Sequence, residues 1–166
     1  MLASTANKDT FKVATVSDQE IRMTRVFDAP RALVYEAMTK PEHVKRWWGN
    51  LGDGYSVSVC EIDLRVGGKW RFVNKHPQGE AEFYGEYREL DVPGRIVFTE
   101  IFAPFPDSVS VVTSTLVEEG GKTRFTAIVK YPSLEVRDMV LATGMEKGAA
   151  ISYDRLEDLV AELARS

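Results

Sequence analysis

The sequence is poor in the residues that build metal centres and covalent frameworks. Its 166 residues include one cysteine, Cys60, and two histidines, His43 and His76. A lone cysteine excludes an internal disulfide framework and any multi-cysteine zinc site. The histidines stand far apart in sequence, so no metal site is expected and no cofactor is implied. Long apolar runs are missing too. Nothing approaches the roughly 18 consecutive apolar residues of a membrane span. Residues 1–10 lack the about 7–15-residue apolar core of a secretory signal and read as a flexible N-terminus. Basic charge is not in excess: 21 Lys and Arg against 25 Asp and Glu leave a net charge of −4. That balance argues against a nucleic-acid binder, which needs a basic face. No repeat of about 20–50 residues is visible, and no linker divides the chain. The expectation is one cytoplasmic domain over residues 1–166, with neither nucleic acid nor membrane as partner.

What is present is ordinary in amount and informative in order. Apolar residues make up 44% of the chain and charged residues 28%, and a chain this long buries roughly two-thirds of its unfolded surface. Residues 11–16 and 21–27 read as strands. Asp28-Ala29-Pro30 reads as a helix start, with Asp28 as cap, and residues 30–38 as a short helix. Pro41 opens a second short helix that ends at Gly49. The apolar period then changes to two, with five or six strands drawn from 55–64, 69–74, 82–90, 95–102, 109–117 and 123–131. Residues 118–122, with Gly120-Gly121 at their centre, form a hairpin connection. Helix resumes at 134–141, and Gly144 marks a break. From Met145, the positions Met145, Ala149, Ser152, Leu156, Leu159 and Leu163 repeat at 4-3-4-3-4 spacing, one stripe along a helix. Lys147, Asp154, Asp158 and Glu162 occupy the opposite face. The stripe needs a partner, and the sheet is the one available. The fold class is α+β: an antiparallel sheet of six to seven strands, two short helices after the first strands, and a long C-terminal helix.

Several ordered motifs carry a resemblance. The runs Thr24-Arg25-Val26-Phe27-Asp28-Ala29-Pro30, Trp47-Trp48-Gly49, Asp63-Leu64-Arg65-Val66-Gly67-Gly68-Lys69-Trp70 and Phe83-Tyr84-Gly85-Glu86-Tyr87 resemble the activator of heat-shock-protein-90 ATPase homologue-like family. Gly120-Gly121-Lys122-Thr123, Gly144-Met145 and Asp154-Arg155-Leu156 fit the same pattern. The family lies in the START-like, or SRPBCC, superfamily, related to the birch-pollen-allergen fold. The resemblance implies a helix-grip fold, a curved sheet wrapped around the C-terminal helix. It also implies a cavity between them, which in the superfamily holds lipids, sterols, polyketides or plant hormones, or serves cyclases, aromatases and hydrolases. The co-chaperone that names the family has an additional N-terminal domain, and a chain of this length is expected to lack it.

The candidate site residues follow from parity. Trp70, Phe72, Phe83, Tyr87 and Phe98 share inward faces, where aromatic side chains either fill a core or line a cavity. Gly144, Gly148, Ala149 and Ala150 on the long helix oppose them, and Met145, Gly148 and Ala149 are the expected wall on that side. Adjacent residues on a helix point about 100° apart, so only one of Trp47 and Trp48 is expected to face the cavity, Trp48 being the choice. Asp63 and Arg65, two apart at a strand end, can pair with each other or with Arg25, or Arg65 can anchor an anionic head group. Glu100 shares parity with Ile96 and Phe98; pointing inward, it would have a raised pKa suited to acid–base work. Glu100, Asp63 and Arg65 are therefore the catalytic candidates. Cys60, in mid-strand, reads as packed rather than nucleophilic. Gly121-Lys122-Thr123 resembles the tail of a phosphate loop, but Leu116 stands where that loop needs glycine. Three functions stay open: a binding protein for a small apolar or aromatic ligand, a cyclase-, aromatase- or hydrolase-type enzyme, and an interaction module with a homodimer or chaperone partner.

Overall fold

The computed structural model describes residues 7–165. Eight strands form one antiparallel sheet: β1 (Lys12–Thr15), β2 (Glu20–Phe27), β3 (Ser56–Ile62), β4 (Lys69–His76), β5 (Gly79–Asp91), β6 (Arg95–Phe102), β7 (Ser110–Glu119) and β8 (Lys122–Lys130). Their spatial order is β1-β2-β8-β7-β6-β5-β4-β3, so the sheet is curved but unclosed. Four helices complete the chain: α1 (Arg31–Thr39), α2 (Pro41–Trp47), α3 (Leu134–Ala142) and α4 (Met145–Ala164). The helix-grip arrangement implied by the resemblance is present. The strand count exceeds the expected six to seven because every segment read as a strand, residues 11–16 included, pairs into the one sheet, β1 as an edge strand beside β2.

Alternation decides the faces. Along β8, Thr123, Phe125, Ala127 and Val129 are buried while Lys122, Arg124 and Lys130 are exposed, the period-two signature of a sheet with one covered face. Gly120 and Gly121 both have positive φ, 59° and 80°, as a tight two-residue hairpin turn between β7 and β8 requires. Asp28 does not cap α1 as expected: Pro30 is the N-cap, without a side-chain bond. The first turn is served from across the fold instead, where the Arg31 N–H donates to Glu118 Oε1 of β7 at 2.8 Å. Ser133 caps α3, its Oγ accepting from the Val136 N–H, and Gly144 at φ +81° separates α3 from α4.

α4 has twenty residues, about 30 Å of helix. Its C-terminal half is fixed by Leu156, Leu159 and Val160, all essentially buried, each worth roughly 1.5–3 kcal/mol of apolar burial. A charge cluster adds direction. Arg25 sits at an inward position of β2 and is fully buried. Its Nη1 donates to Asp154 Oδ1 at 2.7 Å and its Nη2 to Glu157 Oε1 at 3.4 Å. Glu157 Oε2 also accepts from the Asp28 N–H at 3.0 Å. Asp154 therefore does not belong to a solvated acidic face, and Glu162 pairs with Arg46 of α2. Most of the expected flexible stretch 1–10 falls outside the described residues. Residues 7–10 are docked: Asn7 Nδ2 donates to Glu157 Oε1, Lys8 pairs with Asp154, and Thr10 Oγ1 accepts from the Val26 N–H.

Removing one partner of a buried ion pair leaves the other charge uncompensated, a cost of about 3–5 kcal/mol. Arg25→Met should lower unfolding stability by about that amount in urea titrations. A loss under about 1 kcal/mol would show that α4 is held by its apolar stripe alone.

Candidate functional site

Between the N-terminal half of α4 and the sheet lies a cavity of about 430 Å3. The helix contributes Met145, Gly148, Ala149, Ser152 and Tyr153. Facing them are Trp70, Phe72 and Asn74 of β4, Ala81, Phe83 and Tyr87 of β5, and Ile96, Phe98 and Glu100 of β6. Val112 and Ser114 of β7, Phe125, Ala127 and Val129 of β8, and Met23 of β2 extend that wall. Met38, Thr39, Val44 and Trp47 of the short helices, with Trp48, Gly49 and Leu51 after them, close one end.

The aromatic wall is a connected set. Trp48 meets Phe72 and Phe83 at ring distances of 5.0 and 5.2 Å, and Trp70 meets Phe72 at 4.8 Å and Phe98 at 5.6 Å. Tyr153 packs on Phe125 at 5.4 Å and on Trp47 at 6.2 Å. Edge-to-face and tilted contacts at these distances suit aromatic quadrupoles. Gly85 makes the Trp70 position available. A Cβ there would lie 1.8 Å from the Thr99 carbonyl oxygen and 2.7 Å from Trp70 Nε1. Without it, the indole N–H donates to Thr99 O at 3.0 Å, so a buried polar atom is satisfied. Gly49 plays a comparable part at the closed end: its φ is +63°, its N–H donates to Ser152 Oγ, and its carbonyl accepts from Asn74 Nδ2. That residue ties the end of α2 to β4 and to α4.

Both tryptophans of the pair line the cavity, contrary to the expectation that only Trp48 would. The helix ends at Trp47, and Trp48 has extended backbone angles, φ −68° and ψ 122°, so helical divergence does not separate them. Trp47 is anchored through its indole N–H to Ala37 O at 3.0 Å. Trp48, Trp70, Phe72, Phe83, Tyr87, Phe98, Met145, Gly148 and Ala149 are all on the cavity wall. Gly144 and Ala150 are not. Arg65 and Asp63 are elsewhere: exposed, outside the cavity, and paired with each other through Arg65 Nε and Asp63 Oδ2 at 2.9 Å. β3 stops at Ile62, and of the pairings open to Asp63 and Arg65 at this strand end they form the one with each other. The catalytic candidates Glu100, Asp63 and Arg65 are not brought together.

Glu100 does face the cavity, the one acidic residue on its wall. Burial pushes its carboxyl up to about 7. No hydrogen bond or ion pair to that carboxyl is formed among the described residues. Tyr153 and Tyr131 have raised phenol pKa values, chiefly from burial, with the nearby Glu100 charge adding to it. Tyr87 is raised by burial as well. The Cys60 thiol is pushed up to about 11 by burial, partly offset by Lys45, which leaves it protonated and unreactive at neutral pH. Among the described residues, no three His, Cys, Asp or Glu side chains gather as a metal site. The wall residues without a sequence expectation are chiefly Met23, Met38, Ser114, Phe125, Val129 and Tyr153. The β8 alternation of Phe125, Ala127 and Val129 carried the signal for that strand, and Ser114 shares parity with Val112 and Leu116.

Glu100 is neutral in the folded chain up to about pH 7, whereas an unfolded glutamate loses its proton near 4.5. The native state therefore holds the extra proton between these values, and stability falls as pH rises from about 4.5 to about 7. The fall should be on the order of 3 kcal/mol in wild-type denaturation and should flatten in Glu100→Gln. An unchanged pH profile in that variant would contradict a desolvated carboxyl.

Comparison with known proteins agrees with this architecture. A protein from Rhodobacter sphaeroides superposes with a TM-score of 0.83 at 24% identity, covering 92% of this chain and 99% of that one. Protein NE0264 from Nitrosomonas europaea gives 0.78 at 23% identity, over 92% and 100% of the two chains. Protein Ms6760 from Mycobacterium smegmatis gives 0.77 at 26% identity, over 89% and 96%. These likenesses establish the fold. No curated protein matches the sequence significantly. Residues 28–161 match the Activator of Hsp90 ATPase homolog 1-like protein family, and with most of its length inside that match the chain belongs to this family.

Proposed function

We propose that this protein binds small, mainly apolar or aromatic molecules in the cavity between its sheet and α4. The observation that carries the reading is an aromatic-walled space of about 430 Å3, inside the roughly 300–1,000 Å3 range of small-molecule sites. A few polar groups among many apolar ones is the composition such sites use to orient a ligand. Small residues on α4 supply the room: Gly148 and Ala149 face Trp and Phe side chains that would otherwise meet longer ones. The proposal extends to a cytoplasmic setting, which suits a chain with a single free thiol. A chaperone-directed role and a homodimer are the competing readings, and neither draws on the cavity.

All three tryptophans, Trp47, Trp48 and Trp70, line the cavity and provide the probe. Titration with an apolar naphthalene derivative should quench their fluorescence saturably. A Cβ at Gly148 meets only Leu51 Cδ1, at 3.7 Å, so Gly148→Phe can project into the space without a backbone clash. That variant should weaken probe binding by about tenfold or more while its melting temperature stays within about 3 °C of wild type. Equal binding by a folded Gly148→Phe protein would sink the cavity reading.

A further inference from the structure

Glu100 is out of place in its surroundings. The cavity wall carries no lysine, arginine or histidine, yet it carries this one carboxyl. Glu100 is half-buried, on the wall of the cavity rather than sealed in the core, and a carboxylate partly removed from water gains from any cation that can reach it. Neighbouring elements offer Glu100 no cation. Gly85 lies opposite it in the β5–β6 register, since Tyr84 pairs with Ile101 and Tyr87 with Phe98, and a glycine presents no side chain. Ser110 is opposite on β7 and is uncharged. The titratable groups facing it are the phenols of Tyr153 on α4 and of Tyr131 just after β8, both protonated at neutral pH. Trp70, its indole N–H held by the carbonyl of Thr99, the residue preceding Glu100, lines the same cavity, with Phe98 edge-to-face against it.

A carboxylate that shares a cavity wall with electron-rich rings and with no other charged side chain matches one ligand chemistry. An ammonium group satisfies the carboxylate by a charge-assisted hydrogen bond and meets the ring faces by cation–π attraction. We infer that the cavity takes small aromatic molecules bearing a protonated amine, with Glu100 as the counter-charge and Trp70 as the neighbouring π surface. The inference rests on the cavity being a binding site and adds the chemical class of its occupant. Below the pH at which Glu100 ionises, binding moves one proton: the neutral carboxyl releases its proton to solvent as the ammonium arrives, and the amine keeps its own; above that pH the carboxylate is already formed and no proton moves. Affinity for the amine should therefore rise with pH through the range in which Glu100 ionises, then fall where the amine itself deprotonates.

The test uses the full chain and three probes of one shape: 2-(1-naphthyl)ethylamine, the corresponding alcohol and the corresponding carboxylic acid. Isothermal titration near pH 8 should give the amine about a tenfold tighter Kd than the alcohol, one power of ten being one pKa unit of differential interaction. The acid should bind more weakly than either. In Glu100→Gln, amine and alcohol should bind within about twofold of each other. A second measurement needs no variant: in the wild type the amine preference should shrink as pH falls from about 8 to about 6. Equal binding of amine and alcohol near pH 8, or a preference that survives in folded Glu100→Gln, would overturn the amine assignment while leaving the cavity reading intact. Binding of none of the three would overturn both.

Discussion

The distance between α4 and the sheet is set where Arg25 meets Asp154 and Glu157, and the rest of the molecule depends on it. Apolar burial is nondirectional and would let a helix slide or roll over a curved surface. Charge-assisted hydrogen bonds from a fully buried guanidinium do not allow that freedom. They pin the middle of α4 to β2, and Leu156, Leu159 and Val160 then fill the contact toward the C-terminus. Toward the N-terminus the first two turns of the helix offer Met145, Gly148 and Ala149 to the space, small side chains apart from the methionine, and the two surfaces do not close. The Gly49 bridge to Asn74 and Ser152 keeps α2 from collapsing into the space that results.

Much of this was legible in the sequence because it depends on period. Alternation placed Trp70, Phe72, Phe83, Tyr87 and Phe98 on one face, and the 4-3 stripe placed α4 against them. Glu100 followed by the same parity. Where the period ended, legibility ended. β3 stops at Ile62, so Asp63 and Arg65 left the sheet and met each other in solvent. α2 stops at Trp47, so Trp48 could turn toward the same space as its neighbour. The ion cluster was hidden for a different reason: its partners are 129 and 132 residues apart in the chain. Arg25 at the inward parity of Ile21, Met23 and Phe27 was the local hint that a buried anion had to exist somewhere. Cavity volume was beyond reach, since it depends on how far a helix stands from a sheet rather than on which residues face it.

Family and geometry bear on function at different levels. Membership of the Activator of Hsp90 ATPase homolog 1-like family gives the scaffold, and scaffolds of this kind host unrelated activities. The chemistry belongs to the wall: aromatic surface for affinity, a fixed indole at Thr99, and one carboxyl that the protein itself leaves without a partner.

The central claim is that the space under α4 is real and reachable in solution. Methionine methyl NMR under xenon pressure tests it directly, since xenon enters dry apolar cavities. Met23, Met38 and Met145 line the space, whereas Met139 is exposed at 58% on α3. Saturable shifts of the three cavity methyls, with Met139 unmoved, are the predicted result. Shifts at the cavity methyls no larger than at Met139 would mean that sheet and helix close on each other, and would contradict the account.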